Sequence, residues 1–126
     1  MNNVNPVGWF EIPATDLNRA ARFYEAVFGF DMSRKGNAGY DMVWFPAVDD
    51  SKGISGALVA GMGYLPSLEG ATVYFTAPNI DVIIAKIEPA GGKIHVAKKA
   101  IGEYGYIAIF SDSEGNRVGL HSRKTS

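Results

Sequence analysis

Glu11, Arg117 and His121 are the side chains of this 126-residue chain that could do chemistry together. Glu11 stands in "GWFEIPA" and the other two in "DSEGNRVGLHS". A carboxylate beside an imidazole orients the ring, raises its pKa and makes it a general base. The same two groups beside a guanidinium could instead hold an anionic ligand. A third reading is structural: Glu11 and His121 bond to each other or to nearby backbone, because buried polar groups need partners whether or not they react. Trp9, Trp44, Tyr74 and Tyr106 offer flat faces that could stack on a ligand or simply fill a small curved sheet. Residue types alone leave these alternatives open.

Other chemistries are excluded. The chain has no cysteine, so it has no disulfide, thiolate metal site or cysteine nucleophile. No G-x-x-x-x-G-K-[ST] phosphate loop and no G-x-S-x-G nucleophile elbow is present. The formal net charge is −1 and no Lys/Arg run forms a patch, so nucleic acid is not an expected partner. "MNNVNPVGWF" lacks the basic start and apolar run of a signal peptide, and no stretch is long enough to cross a bilayer. These features predict a cytoplasmic protein of one domain, residues 1–126.

The elements that must position these residues come as a repeat. Shifted by 63 residues, "DLNRAARFYEAVFGF" (16–30) falls on "NIDVIIAKIEPAGGK" (79–93). Leu17, Ala20, Ala21 and Tyr24 meet Ile80, Ile83, Ile84 and Ile87, each set spaced as the apolar stripe of a one-sided helix. Asp16 and Asn79 are N-cap residues, and Gly29 and Gly92 end the helices where a left-handed residue is wanted. "GWFEIPA" and "ATVYFTA" read as strands before each helix. "FDMSR", "YDMVWFP" and "ISGALV", then "KIHVA", "YGYIAIF" and "RVGLHS", read as strands after it. Each half is therefore βαβββ, module one spanning 6–62 and module two 70–123. The pair Lys98–Lys99 reads as a solvated loop, and His95 as exposed.

Strand alternation sorts the side chains into faces. Phe10, Ile12, Val73, Phe75, Ile107, Ile109, Val118 and Leu120 are assigned to the helix side. The opposite face then carries Trp9, Glu11, Met42, Trp44, Gly56, Leu58, Thr72, Tyr74, Tyr104, Tyr106, Arg117, Gly119 and His121. A face so mixed in aromatic and charged residues predicts a cavity wall.

Two such modules, with "FEIPATDLNRAARFYEAVFGF" in the first and "DSEGNRVGLHS" closing the second, resemble the vicinal oxygen chelate superfamily. It includes glyoxalase I, bleomycin-resistance proteins and extradiol dioxygenases. The resemblance implies an α+β fold of two tandem modules whose curved mixed sheets enclose a cavity, with helices on the outer face, often in a homodimer. It also implies metal ligands on the first and last strand of each module, at Trp9, Gly56, Thr72 and Gly119. None of these four is a good ligand, so no cofactor is expected, and a divalent metal only at a non-standard site using Glu11 and His121. The resulting expectation is a cavity for a small aromatic or anionic molecule, contacted by Trp9, Trp44, Thr72, Tyr74, Tyr106 and Arg117, with Glu11 and His121 as the reactive pair. The alternative is a lyase of the lactoylglutathione lyase type, or a dioxygenase, using non-standard ligands.

Overall fold

The structure, a computed structural model, describes residues 5–37, 40–49 and 52–124. The expected domain's ends, 1–4 and 125–126, lie outside the described residues. The first module comprises β1 (Phe10–Pro13), α1 (Leu17–Phe28), β2 (Ser33–Asn37), β3 (Tyr40–Trp44) and β4 (Gly56–Ala60). The second comprises β5 (Val73–Thr76), α2 (Ile80–Ile87), β6 (Lys93–Ala100), β7 (Tyr106–Ser111) and β8 (Arg117–Ser122). Each forms a four-stranded sheet, ordered β1-β4-β3-β2 and β5-β8-β7-β6. The β1–β4 and β5–β8 pairs are parallel and the rest antiparallel. The chain is thus an α+β fold of two tandem βαβββ modules with mixed sheets. Among the described residues the sheets stay separate, and no barrel closes around a cavity.

Helix α1 forms as its stripe demands. Asp16 caps it by accepting from the Arg19 amide at 3.0 Å, and Gly29 ends it in the left-handed region at φ 74°. It buries Ala20, Ala21, Phe23, Tyr24 and Val27. Helix α2 is shorter and buries only Ile80 and Ile87. It stops early because Pro89 lacks the N–H that would bond the carbonyl of Ala85. Here the expected cap is corrected: the left-handed residue is Gly91, at φ 108°. Gly92 is glycine because a Cβ there would lie 2.6 Å from the Ser111 carbonyl oxygen and 2.9 Å from the Phe23 ring. Lys98 and Lys99 also differ from expectation. They belong to β6, an edge strand that is exposed almost throughout, where lysines discourage pairing with another chain.

One apolar core draws on both modules. Tyr24, Phe45 and Phe75 lie with ring centroids 5.1–5.6 Å apart, and Phe10 meets Phe75 at 5.7 Å, so helix α1 and strands of both sheets share a ring cluster. Each ring fully removed from water contributes about 1.5–3 kcal/mol.

Strand register corrects several face assignments. Phe10 pairs with Gly56 and Ile12 with Leu58, so Gly56 and Leu58 lie on the helix side. In the second sheet Ala108 and Phe110 pair with Leu120 and Val118 on the helix side. Ile107 and Ile109 therefore face the other way, beside His121 and Gly119. Tyr106, paired with Ser122, is on the helix side, packed against the core and under the Lys98 ammonium at 4.6 Å. At the 63-residue shift Gly56 falls on Gly119, and the register breaks that equivalence. Val73 matches Phe10 at the 63-residue shift, yet Val73 pairs with Val118 while Phe10 pairs with Gly56. The last strands are thus offset by one residue less than the first, and Ala57, not Gly56, corresponds to Gly119. A one-residue slip moves a side chain to the other face.

The turn 112–116 fastens the second module to the first. Buried Asp112 accepts from the Tyr24 hydroxyl of α1 at 2.7 Å and from the Asn116 amide at 3.0 Å. Glu114 accepts from the Thr15 and Asp16 amides at 2.9 and 2.8 Å and pairs with Arg19 at 2.7 Å. Asn116 donates to the Pro13 carbonyl at 2.7 Å. Burial and then the charge of Asp112 push the Tyr24 hydroxyl well above its ordinary pKa. Burial would raise the Glu114 carboxyl. The hydrogen bonds from Arg19 and the Asp16 amide outweigh that and hold it below its ordinary value.

Candidate functional site on the open sheet faces

The faces turned away from the helices carry Trp9, Glu11 and Trp44 on the first sheet. Thr72, Tyr74, Arg117 and His121 lie on the second. Trp9 and Trp44 meet edge to face, centroids 5.2 Å apart. Exposed Glu11 accepts from Trp9 Nε1 at 3.4 Å and from the Tyr64 hydroxyl at 2.7 Å. Tyr64 sits in the glycine-rich connection between the modules, and nothing in the spacing of "GMGYLPSLEG" marks it for this role. Arg117 donates from Nη1 to Thr72 Oγ1 at 2.5 Å.

His121 lies opposite Val118 and Leu120, beside Gly119, as alternation along an unbulged β8 requires. Its Nε2 is 2.7 Å from the Tyr104 carbonyl oxygen. A carbonyl only accepts, so Nε2 carries the proton, and the neutral ring keeps its lone pair on Nδ1. Glu11 and His121 share no hydrogen bond. Each is held by its own neighbours, so the expected reactive pair is not assembled. Glu11 and Arg117 do reach one cleft of about 170 Å³, under the connecting residues Leu65 and Ser67. Tyr106 is not among the residues brought to these faces.

The implied metal positions can be tested by what occupies them. A Cβ added at Gly119 would overlap the Tyr74 ring, so that ring fills the space where a ligating side chain would stand. Ala57, the register equivalent in β4, has no donor atom. Trp9 has no available lone pair, and Thr72 Oγ1 already accepts from a guanidinium. Among the described residues no group of three or more His, Asp or Glu could hold a metal ion. These residues do not fit the metal of the resemblance.

Paired βαβββ modules with mixed sheets, carrying aromatic and polar side chains on the faces away from the helices, define the fold class of this protein. Residues 7–120 match the family model described as "Glyoxalase/Bleomycin resistance protein/Dioxygenase superfamily", and the chain belongs to that superfamily. It is 26% identical over 118 residues to "Putative glyoxylase CFP32" of Mycobacterium tuberculosis, a match covering 89% of this chain and 43% of that protein. The chain thus spans less than half the length of this relative. Among solved structures, a glyoxylase/bleomycin resistance protein/dioxygenase domain from Frankia sp. EAN1pec superposes with a TM-score of 0.73 at 16% identity, covering 97% of this chain and 100% of that one. TnmS3, an antibiotic binding protein from Streptomyces sp. CB03234, superposes with a TM-score of 0.68 at 23% identity, covering 98% and 100%. At these identities the structures share the fold. No helix among the described residues is long and apolar enough to cross a membrane.

Proposed function

We propose that this protein binds a small flat molecule, aromatic or anionic, on its open sheet faces and works without a metal at the superfamily position. The observation that carries the reading is Tyr74 lying over Gly119, which replaces a ligand position by an aromatic surface. Trp9, Trp44 and Tyr74 supply stacking faces, while Arg117, Glu11 and His121 supply polar contacts at the edges. Stacking on such rings contributes about 0.5–1.5 kcal/mol beyond burial. A homodimer belongs to the same reading, because Met62, Leu65 and Leu68 of the connecting segment and Trp9 all expose apolar surface. The likeness to an antibiotic binding protein sets the first screen, antibiotics that carry a flat ring system.

The chain's only tryptophans, Trp9 and Trp44, both lie on the proposed surface, so their intrinsic fluorescence is the readout. The expected result is saturable quenching by one class of flat ligand, weakened about tenfold or more by Arg117→Ala when that ligand is an anion. Binding that needs stoichiometric added Zn, Ni or Mn, with Glu11→Gln and His121→Ala both abolishing metal uptake, would overturn the metal-free reading. Light scattering that returns the mass of one chain would remove the dimer.

A further inference from the structure

The free edges of the two sheets differ. The Ala14 amide bonds to Val59 and the Ala77 amide to His121. In a parallel pair the backbone groups of alternate residues point to opposite sides. Glu11 and Pro13 of β1 therefore aim away from β4, and Tyr74 and Thr76 of β5 aim away from β8. On β1 this edge is blocked at Pro13, which has no N–H and whose carbonyl accepts from Asn116. On β5 the Tyr74 and Thr76 edge borders a cleft of about 550 Å³.

The walls of that cleft are rings. Phe10, Phe30, Phe45 and Phe75 line it, and exposed Ile54 and Tyr74 stand at its mouth. Its volume is within the roughly 300–1,000 Å³ of small-molecule pockets, and its form matches them: mostly apolar walls with a few fixed polar groups. The one charged lining residue, Lys52, is exposed and already engaged, so a ligand charge buried among the phenyl rings would be unpaired and costly, whereas a neutral ring system is not penalised.

We infer that the cleft between Phe10 and the free edge of β5 is a binding site for a neutral, flat aromatic molecule bearing an amide-like group, whose donor and acceptor pair with the backbone of Tyr74 and Thr76. The site meets the open faces only at Thr72 and Tyr74, which border both. It uses the helix-side rings and the strand edge, and neither Trp9 nor Arg117 lines it.

The test uses the full chain and the neutral fluorescent probe N-phenyl-1-naphthylamine. Saturable binding at about one probe per chain is expected, weakened about tenfold or more by Ile54→Asp, which sets a charge at the mouth. Ile54→Trp, which plugs the mouth with an apolar side chain, is expected to weaken it comparably, and circular dichroism checks that both variants fold. Val82→Ser, exposed on α2 and outside both surfaces, should leave affinity within about twofold. Benzanilide should displace the probe at roughly tenfold lower concentration than biphenyl, since only the amide can pair with the strand edge. The inference is overturned by any of four results: no saturable binding, binding indifferent to both Ile54 variants, loss of binding in Val82→Ser, or equal displacement by the two competitors. Stoichiometry that falls as protein concentration rises would also overturn it, by showing that a second copy covers the cleft.

Discussion

The two modules repeat one plan, yet they treat corresponding places differently. In the first, β3 and β4 are joined by residues 45–55, and Asp49 in that loop is exposed. In the second, β7 and β8 are joined by the short turn 112–116, and Asp112 is buried against α1 of the other module. Glycine in the last strand also differs. Gly56 makes room on the helix side for the backbone and ring of Phe10, while Gly119 makes room on the open face for the ring of Tyr74. The repeat thus specifies elements, and the individual contacts decide what each copy does. One copy supplies the longer, better-packed helix, and the other supplies the turn that locks onto it.

The largest effect should come from the fastening turn. Asp112→Ala leaves the Tyr24 hydroxyl buried without its acceptor and removes the bonds that shape the turn. It should cost about 3 kcal/mol in urea unfolding, against less than about 0.5 for Asp49→Ala. Equal effects at the two aspartates would break the comparison.

The glycines come next. Gly56→Ala sets a Cβ against the fixed Phe10 carbonyl and should cost about 2–3 kcal/mol. Gly119→Ala meets only the ring of Tyr74, which is exposed enough to swing aside, and should cost about 1 kcal/mol. Gly119→Ala should also shift ligand affinity at the open face, which Gly56→Ala should not. A reversed order in thermal unfolding would mean that the open face is the more tightly packed of the two.

The smallest effect is a pH dependence. The Glu114 carboxyl is held below its ordinary value in the folded chain, so the unfolded chain binds the proton more readily. Its stabilisation is complete above the ordinary Glu pKa of about 4.3 and is lost as pH falls through the lower folded value. Stability measured across that window should fall more steeply in the wild type than in Glu114→Gln. Indistinguishable slopes would show that the bonds to Thr15, Asp16 and Arg19 do not hold the modules together.

What the sequence determined by itself was the order of elements and the superfamily. The apolar stripe through Ala20, Ala21 and Tyr24 survives any tertiary context, because a helix with that pattern has one face to bury. The alternation in "RVGLHS" likewise set His121 opposite Val118 and Leu120. What it could not determine was register, because no local signal marks a one-residue difference between copies. That difference put Gly56 and Leu58 with the core, and pairing with Ser122 did the same for Tyr106. Nor could it pair side chains across modules. Glu11 and His121 read as partners of each other or of nearby backbone, and only packing decided that Tyr64 would take Glu11 and the Tyr104 carbonyl His121, since which atoms lie within 3 Å of a side chain depends on how separate chain segments pack. The free edge of β5 is the clearest case. Its residues are legible as a strand, but only the packed sheets decide that Asn116 blocks one edge at Pro13 and leaves the other facing a cleft of phenyl rings.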